Sequence, residues 1–363
     1  MSEFVADDAV LAPTNTWLGF EPVRVRPDSR PLLFVVIDTD EEFDWNAPLS
    51  RSSTSVKAIC HIDRLQTLLS GFEVKPTYVV DFPIVSQPGG CDVLKDLVDG
   101  DAARIGAHLH PWVNPPFVEE ISARNSYGFR LGSELETEKI RILQAQIADR
   151  FGELPRVYKA GRYGFGLSTV AALETLNFTI DVSVNPRMDF SSDGGPSFEA
   201  FDSAPFWFGR TRRLLELPCS TDYTGIAGSH APWVHHMVSH PRLDKMHLAG
   251  VLARLGIVNR VHLSPELSTL REMVVLTNEL FQRGLRTFSL TLHSPSVMPG
   301  CTPYVRTAGE LRDFLGRIAA YCDFFLGDLG GLPSTPEDFR DTIDASVRPG
   351  ADVPHSATIG ACR

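Results

Sequence analysis

Two hydrophobic rhythms alternate along most of the chain. Compact runs rich in β-branched and aromatic residues read as buried strands. They fall at 31–40 (PLLFVVIDTD), 75–81 (KPTYVVD), 104–112 (RIGAHLHPW), 156–164 (RVYKAGRYG), 178–184 (FTIDVSV), 214–219 (LLELPC) and 287–293 (TFSLTLH). Between them, apolar residues recur at helical spacing over Val56–Leu69, 91–100, 134–152, 168–177 and 268–284. Ser168 and Ser268 read as N-caps, and Gly100, Gly152 and Gly284 as stops. Strands alternating with helices predict an α/β fold with a parallel sheet. Seven such strands point to a barrel, although periodicity alone leaves closed and open sheets undecided. Residues 1–30 are irregular and read as a surface segment, and 31–329 as the barrel. Residues 330–363, with Pro333, Pro336, Pro349 and Pro354, read as a tail holding a short helix.

Polar residues interrupt this pattern where strands end. Asp38 and Asp40 are two apart and share a strand face. Carboxylates held that close repel unless a cation or proton lies between them, though an acidic turn looks the same in sequence. His108 and His110 also share a face, as neighbouring metal ligands do, and as a hydrogen-bonded pair does too. The turn at 159–164 sets Lys159 and Arg162 among glycines. It reads either as an oxyanion site made by backbone N–H groups or as an ordinary strand-to-helix turn. His293 closes the last strand and reads as a proton donor or as a lone buried histidine. These groups fall at the same end of successive strands, where α/β barrels carry their chemistry. That coincidence points to a metal site flanked by acid and base groups. Trp112 reads as a sugar-stacking wall or a rim residue. Phe206, Trp207, Phe208 and Trp233 read as stacking surfaces or core, with 204–209 (APFWFG) as an irregular segment over the barrel mouth. His230, His235 and His236 read as a solvated loop, with a second metal site as the alternative.

Composition narrows the partners. Hydrophobic residues make up 43% and charged residues 22% of 363, a globular balance. A net charge of -11 gives no general attraction to nucleic acid or anionic lipid. The run Arg210, Arg212 and Arg213 reads as a solvated turn. The six cysteines form no CxxC pair, which argues against a thiolate zinc site. No basic-then-apolar leader and no long apolar run appear, so a cytoplasmic setting is the expectation. No phosphate-binding GxxxxGK[ST] loop is present.

The order DTDEE, GAHLHPW, KAGRYG, LTLHSPSVMPG resembles the polysaccharide deacetylase superfamily, or carbohydrate esterase family 4. The resemblance spans roughly residues 31–328 and is closest to a divergent bacterial branch found with polysaccharide biosynthesis. It implies a distorted (β/α)7 barrel and one divalent metal, usually zinc. By that resemblance Asp38 is the base, Asp40, His108 and His110 hold the metal, and His293 is the acid. The turn at Arg162 and Tyr163 supplies the oxyanion N–H, and the substrate is an acetylated sugar or related amide. From the residues themselves, Trp112 and Trp207 are the candidates to meet it. Two features depart from the family pattern. The histidines are spaced HxH rather than HxxxH, and the arginine that precedes two prolines is absent, leaving Lys159 or Arg162 to hold the base. Asp181 is the nearest candidate to brace His293. Two rivals remain: a hydrolase of another C–N amide bond, and a glycan-binding barrel with degraded catalysis. Oligomeric state is open.

Overall fold

The computed structural model describes residues 19–210, 213–226 and 257–347. The strands are β1 (Glu21–Pro22), β2 (Leu32–Thr39), β3 (Thr77–Val80), β4 (Arg104–Leu109), β5 (Val157–Ala160), β6 (Ile180–Asp181), β7 (Phe206–Phe208), β8 (Leu214–Glu216), β9 (Thr221–Thr224), β10 (Asn259–His262), β11 (Thr287–His293) and β12 (Leu332–Pro333). The helices are α1 (Asp63–Ser70), α2 (Phe82–Ser86), α3 (Pro88–Asp99), α4 (Ser133–Phe151), α5 (Leu167–Thr175), α6 (Leu270–Gln282), α7 (Ala308–Asp323) and α8 (Pro336–Val347).

Seven strands run parallel in the order β11-β2-β3-β4-β5-β6-β8, and each coincides with one of the seven apolar runs. The chain is therefore an α/β protein of the distorted (β/α)7 type. The ladder does not close directly between β8 and β11. An antiparallel ribbon of β9 and β10 spans that gap. It is tied to β11 by Thr291 N–H to the Leu263 carbonyl at 3.1 Å and Ser289 N–H to Ser220 Oγ at 2.9 Å. At the far edge β7 pairs antiparallel with β8, and β1 with β7.

Alternation along β2 separates the two faces. Leu33, Val35 and Ile37 pack outward with the helices, in a core that includes Leu65, Leu94, Ile140 and Ile318. Phe34 and Val36 face the barrel interior with Val79, Val157, Ile180 and Leu215. Asp38 continues that interior face, at the end where the strands emerge. The opposite end is sealed from outside the barrel sequence. β12 pairs with Leu32 and Leu33, below the point where β3 begins to pair at Val36. The twelve-residue α8 then brings Phe339 against Phe34, ring centroids 5.7 Å apart.

Two caps differ from expectation. α6 is capped by Thr269, not Ser268. The Glu272 N–H donates to Thr269 Oγ1 at 3.3 Å, and the Thr269 N–H donates back to Glu272 at 2.8 Å. α5 starts after Gly166, whose N–H donates to Thr169 Oγ1 at 3.1 Å, so Ser168 lies inside the helix. Among the described residues, no helix is long and apolar enough to cross a membrane.

Candidate active site

A cavity of about 1000 Å³ opens at the carboxyl ends of the parallel strands, lined by Asp38, Asp40, His108, His110, Arg162, Tyr163 and His293 among others. Sheet register explains the convergence. Asp38 pairs with His293 across β2 and β11, and His108 pairs with Lys159 across β4 and β5.

Asp40, His108 and His110 are buried, and their ligating atoms lie within 4.8 Å of one another. Both rings are oriented from behind. His108 Nδ1 donates to the Lys159 carbonyl at 3.1 Å, and His110 Nδ1 donates to Glu41 Oε2 at 2.7 Å. These bonds leave both Nε2 lone pairs free. Burial holds His108 well below the ordinary histidine value and His110 at about 4, so both rings are neutral, the form that binds metal. Asp40 Oδ1 is buried without a hydrogen-bond partner. Burial, with Asp81 and Asp38 nearby, pushes Asp40 well above its usual range. The set fits a divalent metal. The HxH spacing works because both histidines project from the interior face at the top of β4. Gly161 leaves room for the second ring, since a Cβ there would stand 2.5 Å from His110 Cδ2.

Lys159, rather than Arg162, holds the proposed base. Its buried ammonium donates to both Asp38 oxygens, at 2.6 and 2.7 Å. Burial would raise Asp38, but the Lys159 charge, with His293, outweighs it and holds the carboxyl below its ordinary value. Arg162 turns away to Asp193 at 2.5 Å and to Ser126. Arg162 and Tyr163 both take left-handed backbone angles, φ 52° and 58°, in the tight turn after β5.

His293 is braced by Glu266, not Asp181. One carboxylate accepts both the His293 N–H, at 3.1 Å, and the ring Nδ1–H, at 2.8 Å. Ser296 Oγ also donates to it. Nε2 then points toward Asp38, 3.8 Å from Oδ2. Burial lowers His293, but Glu266 prevails and raises it to about 9. Asp181 lies deeper, accepting from Ser183 Oγ at 2.7 Å. Glu266 sits in a loop without periodicity, so the sequence carried no signal for it. The cavity-lining Asn185, in a loop, and His262, at the end of the short polar strand β10, also stand out in no apolar pattern; Thr221 Oγ1 links them.

Trp112 lines the cavity, stacked on His110 with centroids 4.3 Å apart, so it stands both at the rim and against a candidate ligand. Trp207 does not reach the site. The segment expected over the mouth is β7. Its tryptophan packs at the sealed end, under the guanidinium of Arg340, which donates to the Thr179 and Arg213 carbonyls below β6 and β8. Trp233, His230, His235 and His236 lie outside the described residues.

No family model and no curated protein matches the chain. Solved structures do. PuuE allantoinase aligns over 88% of this chain and 92% of its own, at 13% identity and a TM-score of 0.51. At that identity the likeness shows a shared fold and nothing finer. Proteins named as polysaccharide deacetylases from Mycobacterium smegmatis and Pseudomonas aeruginosa PAO1 align over 93% and 88% of the chain, and over 98% and 92% of their own. Their identities are 14% and 12%, with TM-scores of 0.49 for both. The chemistry is left to the site.

Proposed function

We propose that this chain is a metal-dependent hydrolase that removes an acetyl group from an acylated amine, with an N-acetylated sugar as the expected substrate. The observation that carries the proposal is the convergence of three groups on one cavity: the Asp40–His108–His110 set with its orphaned oxygen, the Lys159–Asp38 pair, and the Glu266–His293 pair.

Asp40, His108 and His110 would hold a divalent cation, with zinc as the metal we propose. When bound it would polarise the amide carbonyl and ease loss of a water proton. Asp38, kept ionised by Lys159, takes that proton as water attacks. The backbone turn at Arg162 and Tyr163 offers N–H groups to the developing oxyanion. His293, kept protonated by Glu266, gives its proton to the departing nitrogen, so the products are acetate and a free amine.

The test is direct. The protein, purified without chelator and offered zinc, should hold one ion by elemental analysis and release acetate from an N-acetylated sugar panel. His108→Ala should lose the metal. His293→Ala should keep it and lose about 10²–10⁴-fold in kcat. A native protein that holds no divalent ion defeats the proposal.

A second reading has its own support. Part of the cavity wall is apolar and open to solvent: Trp45 is 37%, Ile121 41% and Leu267 53% exposed. Such a wall favours an amide with an apolar body over a hydroxyl-rich sugar. Aryl and alkyl acetamides in the same panel separate the readings by kcat/KM.

A further inference from the structure

We infer that Glu41 is the positioning residue for His110, fixing the tautomer and direction of the ring so that an HxH pair can serve where the family uses wider spacing. The inference rests on the proposed metal site and goes beyond its ligands.

β2 ends at Thr39. Asp40 then faces the cavity, while Glu41 turns beneath it into full burial. Both oxygens of Glu41 are engaged. Oε2 accepts from His110 Nδ1 at 2.7 Å, and Oε1 accepts from Trp112 Nε1 at 2.8 Å. Its own backbone N–H donates to Asp81 Oδ2 at 2.8 Å. Asp81 is anchored in turn by the Ile84 N–H at 2.9 Å, as the N-cap of α2. His110 is thus fixed at Nδ1, covered on one face by Trp112 and passed closely by Gly161. The only ring atom left to act is Nε2, on the Asp40 side. Carboxylates behind metal-binding histidines commonly set ligand direction in this way.

The same atoms allow another reading, because Glu41, Asp81 and His110 also group closely enough to hold an ion. Their hydrogen bonds oppose it. Every oxygen of Glu41 and Asp81 already accepts a proton from a nitrogen donor, and none is orphaned, whereas Asp40 Oδ1 is. The three side chains are buried. Glu41 and Asp81 therefore support the site and do not form a second one.

The chemistry of the amide gives a discriminating test. In Glu41→Gln, one side-chain position becomes an NH₂ donor. It must face either the Trp112 N–H or the His110 Nδ1–H, so one of the two bonds is lost. Trp112→Phe removes the competing donor and keeps the stacked ring. The full-length protein is loaded with Co²⁺ or Zn²⁺, and affinity is read by chelator competition, with the Co²⁺ absorption spectrum as a report on ligand geometry. E41Q should weaken metal binding about 10–100-fold and alter the spectrum. W112F alone should change affinity by less than about threefold, well short of the second-sphere effect. The double variant should regain most of the loss. Circular dichroism separates unfolding from an altered site, and the double variant remains informative if E41Q folds poorly. Equal affinity in E41Q and wild type, or strictly additive losses in the double variant, overturns the inference while leaving the metal site standing. Failure of the wild type to bind metal overturns the proposed function instead.

Discussion

At the scale of single residues, the site is a set of charges adjusted by partners from other strands. That Asp38, Asp40, His108, His110 and His293 gather at one cavity could be expected from the sequence, because strand ends are where polar residues stand out from the apolar pattern. Their partners could not, since Lys159 and Arg162 look interchangeable in a glycine turn and Glu266 lies in an aperiodic loop. Only register decides that Lys159 reaches Asp38. The Glu266–His293 pair makes a pH prediction. Glu266 raises His293 to about 9, so the proposed acid is protonated at neutral pH and is lost as pH climbs through that value. Activity should therefore fall on the alkaline side. In Glu266→Gln the raising charge is gone, and the alkaline limb of kcat/KM should move to lower pH. An unmoved limb would remove His293 from the role of acid. Gly161→Ala is the steric counterpart. Its new methyl would meet both the Leu109 carbonyl, at 2.3 Å, and the His110 ring, at 2.5 Å. The expected result is a loss of metal affinity of at least tenfold in chelator competition, as for other displaced ligands.

At the scale of elements, helices were easier to place than their ends. Period and length identify α4 and α6, but caps depend on single side chains. Thr269 rather than Ser268 caps α6 because it can reach Glu272 reciprocally. Thr269→Ala should therefore cost about 1 kcal/mol in denaturant unfolding, whereas Ser268→Ala should not cost a cap. A second inter-element bond concerns Glu136 of α4, fully buried and accepting Ser168 Oγ and Thr169 Oγ1 of α5, both at 2.6 Å. Burial raises its carboxyl from 4.5 to about 7, and the two hydroxyls only partly offset this. The folded state thus binds the proton more tightly than the unfolded chain. Stability falls as pH rises from the unfolded value to the folded one, and is flat above. Glu136→Gln carries no such charge. Its stability relative to wild type should rise by on the order of 3 kcal/mol between pH 4.5 and 8, from 1.36 kcal/mol per pKa unit. Urea unfolding at the two pH values measures it, and an equal difference at both would refute the buried-charge explanation.

At the scale of the whole molecule, the seven strands were visible in the apolar runs, but the closure of the barrel was not. β9 and β10 are short and polar, so neither stands out as a strand. They bridge the gap between β8 and β11 through backbone and hydroxyl contacts that leave no hydrophobic signature. The sealed end is hidden for a related reason. The prolines from 333 on suggest a tail with a short helix, and Pro336 opens that helix as α8, but nothing in the pattern says that it covers the barrel's end. Trp207, assigned in sequence to the mouth, belongs to this opposite end, because β7 pairs with β8 and turns its ring toward Arg213 and Arg340. The barrel thereby separates stability from chemistry along its axis. Phe339 fills the sealed end, in the same interior core as Phe34, Val36 and Leu215. Phe339→Ala should cost about 3–5 kcal/mol of unfolding free energy, the usual price of an aromatic cavity in a packed core. Because Phe339 lies beneath the interior face and not among the cavity-lining residues, the folded variant should keep the wild-type Co²⁺ spectrum and metal affinity. A changed spectrum at full folding would show that the plug and the site are coupled through the interior strands, and the axial division would then fail.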